Sequence, residues 1–230
     1  MKNKNLKQLS ETWGSDKHVH GFTEFYEKYF SKCKSAKNIC EIGLGGIMWQ
    51  QGGKLPGASS RIWLEYFPDA KVFIMDNFSE IKKEEIEIIN LLKEENIERL
   101  LIVEGDQSNR LDLSKFSNCI SGDIDILIDD GGHSMQQQQV SLGYMFKFIK
   151  PGGYYVVEDL HTSILPSRPR FGLLPDESNS TLKMIQNFIK SKTINSVYMT
   201  REESNYLENE IEYCELFKNK NSITSIIKKR

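Results

Sequence analysis

The chain has 230 residues, a formal net charge of -2 and a hydrophobic fraction of 39%. That is enough apolar side chain for one globular domain with a real core, and the near balance of charge offers no basic field for nucleic acid. No apolar run approaches the ~20 residues that span a bilayer, and the lysine- and asparagine-rich start has no apolar leader core, so a cytoplasmic protein is expected.

Residues 1–20 are polar and are expected to form a cap. Phe22, Phe25, Tyr26, Tyr29 and Phe30 recur at helical spacing and predict a helix over 23–30. Strand then alternates with helix. Asn38–Ile42 reads as a first strand, followed by a glycine-rich stretch, 43–57, and a helix over 59–66. A second strand, 71–75, ends at Asp76. Residues 80–95 read as a charged amphipathic helix with Ile81, Ile88, Ile89 and Leu92 on one face. A third strand, 100–103, ends near Asp106. A fourth, 124–128, is followed by a helix over 135–149, a Pro151-Gly152-Gly153 turn and a fifth strand, 154–157.

This alternation predicts parallel strands, right-handed crossovers and helices on both faces of an α/β sheet. After residue 160 the pattern changes. The stretch 161–179 holds Pro166, Pro169 and Pro175 and reads as a long loop, a length often used for a lid. A helix over 181–190 follows, then strand-like runs at 196–200, 211–217 and 222–227. The last two are joined by a turn-rich tetrad, 218–221, as an antiparallel hairpin at a sheet edge. The expected organisation is one domain, 1–230: a cap and helix (1–35), a cofactor and metal core (36–160), a lid loop (161–179) and a C-terminal helix with edge strands (180–230). Cys33, Cys40, Cys119 and Cys214 lack metal-site or disulfide-framework spacing and read as thiols of a reducing compartment.

Two acidic clusters carry the chemistry: Asp129-Asp130-Gly131-Gly132-His133 and Glu158-Asp159. Each follows an apolar strand, and successive parallel strands end on the edge where ligands bind. Their carboxylates and His133 are therefore expected to converge. Hard oxygen ligands gathered this way suit Mg²⁺, and a nearby histidine serves as a base. Adjacent carboxylates repel unless a cation or donors offset them. One acid capping a helix that starts near Ser134 leaves the other acid and the histidine unexplained. His18, His20 and His161 read as ordinary cap and loop residues.

The cofactor half is weaker. Glu41-Ile42-Gly43-Leu44-Gly45-Gly46 closes the first strand without completing G-x-G-x-x-G. Its glycines still admit close backbone approach. Asp76 is placed to accept from ribose hydroxyls, and Asp106-Gln107 to meet an adenine edge. On these residues alone, an NAD-dependent oxidoreductase and a metal-dependent hydrolase stay open. A non-catalytic module is disfavoured, because it has no chemical need for Asp130, His133, Glu158 and Asp159.

At these residues the chain resembles the S-adenosylmethionine-dependent, Mg²⁺-dependent O-methyltransferases of the macrocin and mycinamicin type, which modify sugars in natural products. The resemblance runs through Gly14-Ser15-Asp16-Lys17, where the family usually has threonine second, and the Tyr26 helix. It continues through Glu41-Ile42-Gly43 with Gly45-Gly46, Arg61-Ile62-Trp63 and Tyr66-Phe67-Pro68. Asp76, Gly105-Asp106-Gln107 and the stretches 128–133, 150–153 and 157–160 complete it, so it covers roughly residues 12–160.

The resemblance implies a class I methyltransferase (Rossmann-like) fold, with a seven-stranded, mostly parallel sheet ending in a hairpin. It implies S-adenosylmethionine and Mg²⁺ as cofactors, metal ligands at Asp130, Glu158 and Asp159, and a general base at His133. Cofactor contacts are implied at Glu41, Gly43, Asp76, Asp106, Gln107 and Asp129, with Ser15 and Tyr26 closing over the cofactor. The implied partner is a small acceptor with a hydroxyl, such as a sugar, a glycan precursor or a polar metabolite, and not nucleic acid or membrane. Self-association is implied as well. The 161–179 loop is expected to exclude water, and its Arg168, Arg170 and Phe171 read equally as contacts to an anionic or sugar acceptor and as a solvated loop face. The lysine-, asparagine- and isoleucine-rich composition points to an AT-rich bacterial genome.

Overall fold

Asn5 starts the first helix, α1 (Leu6–Trp13). Its side chain accepts from Gln8 N at 2.9 Å while Gln8 Oε1 accepts from Asn5 N at 3.1 Å, a reciprocal cap. The helix stops at Gly14, whose φ of 73° is the left-handed conformation that glycine adopts freely. The computed structural model describes residues 4–45, 56–79, 81–120, 122–164, 169–219 and 222–230. The expected polar cap is thus α1, burying Leu6 and Leu9, with a 3-10 turn at Asp16–His18. Chain contacts divide the molecule into two compact units, 1–104 and 105–230.

In the first unit, α2 (Phe22–Phe30) buries the predicted aromatic stripe. Tyr26 stacks on Phe22 at 6.1 Å and on Phe30 at 5.1 Å, the i, i+4 geometry of a helix face. Then come β1 (Asn38–Ile42), α3 (Ala58–Tyr66), β2 (Lys71–Asp76), α4 (Lys83–Glu95) and β3 (Leu100–Glu104). β1 and β2 pair in parallel, as do β2 and β3, in the order β3-β2-β1. α4 begins later than expected because Glu85 Oε2 reaches back to Lys82 N at 2.8 Å and fixes the start there. Ile81 therefore falls outside the helix, and its buried apolar residues are Ile89 and Leu92. Of the glycine-rich stretch 43–57, residues 46–55 lie outside the described residues, as do Pro166 and Arg168.

The second unit opens with α5 (Arg110–Cys119), a helix the sequence reading did not include. Only Leu113, Phe116 and Ser117 turn inward while Leu111 is 72% exposed, so its apolar period is faint. β4 (Ile124–Asp129) is buried throughout, as a strand covered on both faces must be. α6 (Met135–Met145) ends four residues short of the expected 149, tightening into a 3-10 turn at Phe146–Phe148. β5 (Ile149–Val157) begins there. Its Pro151-Gly152-Gly153 lies inside the strand, where the register against β4 shifts between Ile124 and Ile126. A Cβ on Gly153 would stand 2.8 Å from Asp125 O, so only glycine fits at this shift.

After β5 the chain makes 3-10 turns at Leu160–Ser163 and Pro169–Phe171, then α7 (Thr181–Ser191). The end of the expected loop is tied down. Asn179 Nδ2 donates to Gly172 O (2.7 Å) and the Tyr198 hydroxyl (2.9 Å), its Oδ1 accepts from Leu174 N, and Gln139 Nε2 donates to Asn179 O (2.7 Å). The strand expected at 196–200 does not form. Ser196 Oγ accepts from the amides of Tyr198 (3.0 Å) and Met199 (3.1 Å) and turns the chain. Thr200 and Glu203 then cap α8 (Arg201–Glu210). β6 (Ile211–Lys218) and β7 (Ile223–Lys229) pair antiparallel, β7 pairs antiparallel with β5, and the order is β4-β5-β7-β6, so the hairpin ends at an edge. The three strands of the first unit and the four of the second make seven among the described residues, parallel except where the hairpin pairs. None of the four cysteines is in a disulfide. Among the described residues no helix is long and apolar enough to cross a membrane.

Candidate active site

In the first unit the acidic end of β1 is anchored from behind. The Glu41 side chain is 0% exposed, and its Oε2 accepts from Ser59 Oγ at 2.6 Å and Trp63 Nε1 at 3.0 Å. Its Oε1 lies 3.5 Å from Lys17 Nζ, on a lysine that is itself 3% exposed. Ser15 caps the turn that carries Lys17, accepting from Lys17 N at 3.3 Å. The Gly14-Ser15-Asp16-Lys17 run thus delivers a cation to Glu41. Breaking a buried pair strands the remaining charge, at a cost of about 3–5 kcal/mol. Lys17→Met is therefore expected to lower Tm by about 10 °C, read by thermal denaturation; an unchanged Tm would show that the pair adds nothing.

Gly43 has φ 102° and donates from its amide to Met75 O at 2.8 Å, which bends the chain away from β1 toward the end of β2. There Asp76 accepts from Leu44 N (2.7 Å) through one oxygen and from Phe78 N (2.6 Å) through the other. Each oxygen keeps a second acceptor site for a ligand hydroxyl. Tyr26 sits wholly buried in the aromatic stack of α2.

In the second unit, the turns after β4 and β5 come together. Asp130, His133 and Asp159 each offer one ligand atom within 4.8 Å of the others. His133 Nε2 stands 3.9 Å from Asp130 Oδ1 and 3.5 Å from Asp159 Oδ2. The other Asp159 oxygen lies 3.5 Å from His161 Nδ1, and that buried Oδ1 accepts no hydrogen bond from the described residues. Both His133 (φ 57°) and Asp159 (φ 56°) hold left-handed backbone conformations, which for non-glycine residues cost free energy and cluster at functional sites. Two carboxylates and an imidazole, with one of the carboxylate oxygens buried and lacking a hydrogen bond from the described residues, fit a divalent cation. Glu158 is buried next to Asp159 in sequence, and its amide donates to Asp129 O at 2.9 Å. Thr162 Oγ1 donates to His133 O at 3.0 Å, a second tie between the two turns.

Asp129 points inward instead. Its carboxylate is 1% exposed and accepts from Gln107 Nε2 (2.8 Å), the Tyr155 hydroxyl (2.9 Å) and Ser141 Oγ. Burial pushes its carboxyl above the usual range, against the pull of those donors and of His133. Burial and the Asp129 charge raise the Tyr155 hydroxyl well above its ordinary value, so it remains a donor. Asp106 accepts from the amide and the hydroxyl of Ser108 (2.8 and 2.7 Å) in a local turn. The helix after the turn is capped by Ser134 itself, whose Oγ accepts from Gln137 N at 3.2 Å, so neither Asp129 nor Asp130 is needed as a cap. The residues the sequence reading passed over here are His161, Thr162, Ser141 and Tyr155. Of these only His161, two residues beyond Asp159, carries a local signal.

No protein-family model matches the chain. It is 30% identical over 185 residues to the 8-demethyl-8-alpha-L-rhamnosyl tetracenomycin-C 2'-O-methyltransferase of Streptomyces olivaceus, covering 80% of this chain and 43% of that protein. It is 30% identical over 177 residues to the demethylmacrocin O-methyltransferase of Streptomyces fradiae, covering 76% and 39%. The chain thus spans about two fifths of the length of these curated relatives. Among solved structures it superposes on the MycE methyltransferase from the mycinamycin biosynthetic pathway, in complex with Mg, SAH and mycinamycin VI. The TM-score is 0.72 at 25% identity, over 100% of this chain and 56% of that one. A likeness to the O-methyltransferase TomG from Streptomyces achromogenes, at 12% identity and a TM-score of 0.55, concerns the fold alone.

Proposed function

We infer that this chain, which has the class I methyltransferase fold and resembles sugar O-methyltransferases over most of its length, transfers a methyl group from S-adenosylmethionine to a hydroxyl of a sugar or similar small polar acceptor. The observation that carries the reading is the Asp130–His133–Asp159 group, in a chain similar to a methyltransferase solved with Mg and SAH. When bound, Mg²⁺ supplies Lewis acidity to the acceptor hydroxyl, and S-adenosylmethionine the electrophilic methyl group.

The chain's own residues do the rest. Asp130 and Asp159 hold the cation, with Glu158 as the third carboxylate. His133 takes the hydroxyl proton at Nε2, the ring atom that faces both aspartates. Glu41 fixes the chain at Gly43, Asp76 receives ribose hydroxyls, and Asp106 contributes a further cofactor contact. Ser15 shapes the turn that sets Lys17 on Glu41, and Tyr26, in the aromatic stack of α2, lies on the helix that would close over the cofactor. Four cysteines held as thiols suit a cytoplasmic setting.

The test is calorimetric titration of S-adenosylhomocysteine with Mg²⁺ or with EDTA, followed by methyl transfer to sugar acceptors. Binding in both conditions and Mg²⁺-dependent transfer are expected. Absence of binding in either condition overturns the cofactor reading and brings the hydrolase and the oxidoreductase forward.

A further inference from the structure

We propose that Gln107 is a positioning residue for the cation-holding turn 129–133, in place of the cofactor contact that its position after β3 suggests. The proposal rests on the metal reading above and goes beyond it, because Gln107 touches neither the cation nor the reacting atoms.

Gln107 is 5% exposed, and both ends of its amide are engaged within the second unit. Nε2 donates to Asp129 Oδ1 at 2.8 Å and lies 3.4 Å from Ser141 Oγ. Oε1 accepts from Gly132 N at 2.7 Å. The partners fix the amide's orientation, since a carboxylate needs a donor and a backbone N–H needs an acceptor. One side chain therefore spans the turn from Asp129 to Gly132, with Asp130 held between those two points. The next residue after them is His133.

Other contacts show why this clamp sets the site. The ends of the turn are held by the segment after β5: Asp129 O accepts from Glu158 N and His133 O accepts from Thr162 Oγ1. Gln107, from a different loop, holds the middle. On its other side Gly132 is pressed against Gln137, whose amide would meet an added Cβ at 2.3 Å. The Gly132 peptide is thus gripped from two sides. His133 follows it in a left-handed conformation that relaxes unless its neighbours over-determine it. Losing the clamp frees the peptide that leads into that conformation and loosens the Asp130 and His133 ligand atoms together. With Nε2 on Asp129 and Oε1 on Gly132 N, the amide is turned inward, and the one group it keeps for a ligand among the described contacts is a second acceptor site on Oε1.

The experiment compares wild type, Gln107→Met, Gln107→Glu and the double variant Gln107→Glu with Asp129→Asn, for Mg²⁺ affinity, S-adenosylhomocysteine affinity and Tm. Methionine keeps the length and loses both hydrogen bonds. Residues that orient metal ligands typically cost 10–100-fold in metal affinity, so Gln107→Met is expected to weaken Mg²⁺ by about tenfold or more and leave S-adenosylhomocysteine within about twofold. Gln107→Glu sets a carboxylate against Asp129 and should weaken Mg²⁺ at least as much. In the double variant the two side chains exchange roles. The new amide at position 129 donates through its nitrogen to the new carboxylate at position 107. Its oxygen accepts from Ser141 and Tyr155, as the Asp129 oxygen does in wild type. Mg²⁺ affinity should return to within about threefold of wild type.

Lost S-adenosylhomocysteine affinity with unchanged Mg²⁺ affinity would make Gln107 a cofactor contact and overturn the proposal, as would failure of the double variant to recover. If Gln107→Met does not fold, the comparison of Gln107→Glu with the double variant decides. A wild type that binds no Mg²⁺ would refute the metal reading itself, a result separate from any variant.

Discussion

His133→Ala is expected to lower kcat by about 10²–10⁴-fold while Mg²⁺ and S-adenosylhomocysteine still bind, because it removes the group that takes the acceptor proton. The geometry sharpens the test. His133 Nε2 lies among the same ligand atoms as Asp130 and Asp159, so the imidazole is placed either to accept a proton or to hold the cation. The two roles part on binding. A base lost leaves the Mg²⁺ titration near wild type and removes turnover. A ligand lost weakens Mg²⁺ along with turnover. Wild-type turnover in the variant would remove His133 from the reaction altogether.

Asp159→Asn carries the second large effect. The substitution keeps the shape and removes the charge from a residue that meets both His133 and His161, each at 3.5 Å. Groups that only orient metal ligands cost 10–100-fold when lost, so a direct ligand is expected to cost at least about 100-fold in Mg²⁺ affinity. Methyl transfer should fall with it and recover in part at high Mg²⁺. An unchanged metal titration would remove Asp159 from the ligand set. The same titration on Asp130→Asn ranks the two aspartates.

Much of this site was readable because its acids end apolar strands. Asp129-Asp130 closes β4, Glu158-Asp159 follows β5, and strand ends set where side chains gather. β1 was read at Asn38–Ile42 and forms there. What escaped the reading depends on contacts distant in sequence. Gln107 lies 25 residues from Gly132, and Thr162 lies 29 from His133, so no local pattern foretells either hydrogen bond. α5 and α8 escaped for a different reason. α8 buries only Leu207 and is held through Arg110, which donates to Glu203 at 2.8 and 2.7 Å. The β-branched and aromatic run at 196–200 favoured a strand, and Ser196 overrode it by bonding two amides of its own turn.

The left-handed residues at 133 and 159 also bear on how such a sequence drifts. At both positions glycine would relieve the backbone and asparagine would tolerate it, so selection for stability alone favours losing the very side chains that gather at the turns. A lineage kept only for its fold would shed His133 and Asp159 early and gain robustness by doing so. A directed-evolution campaign that screens on melting temperature should therefore hold these two codons fixed.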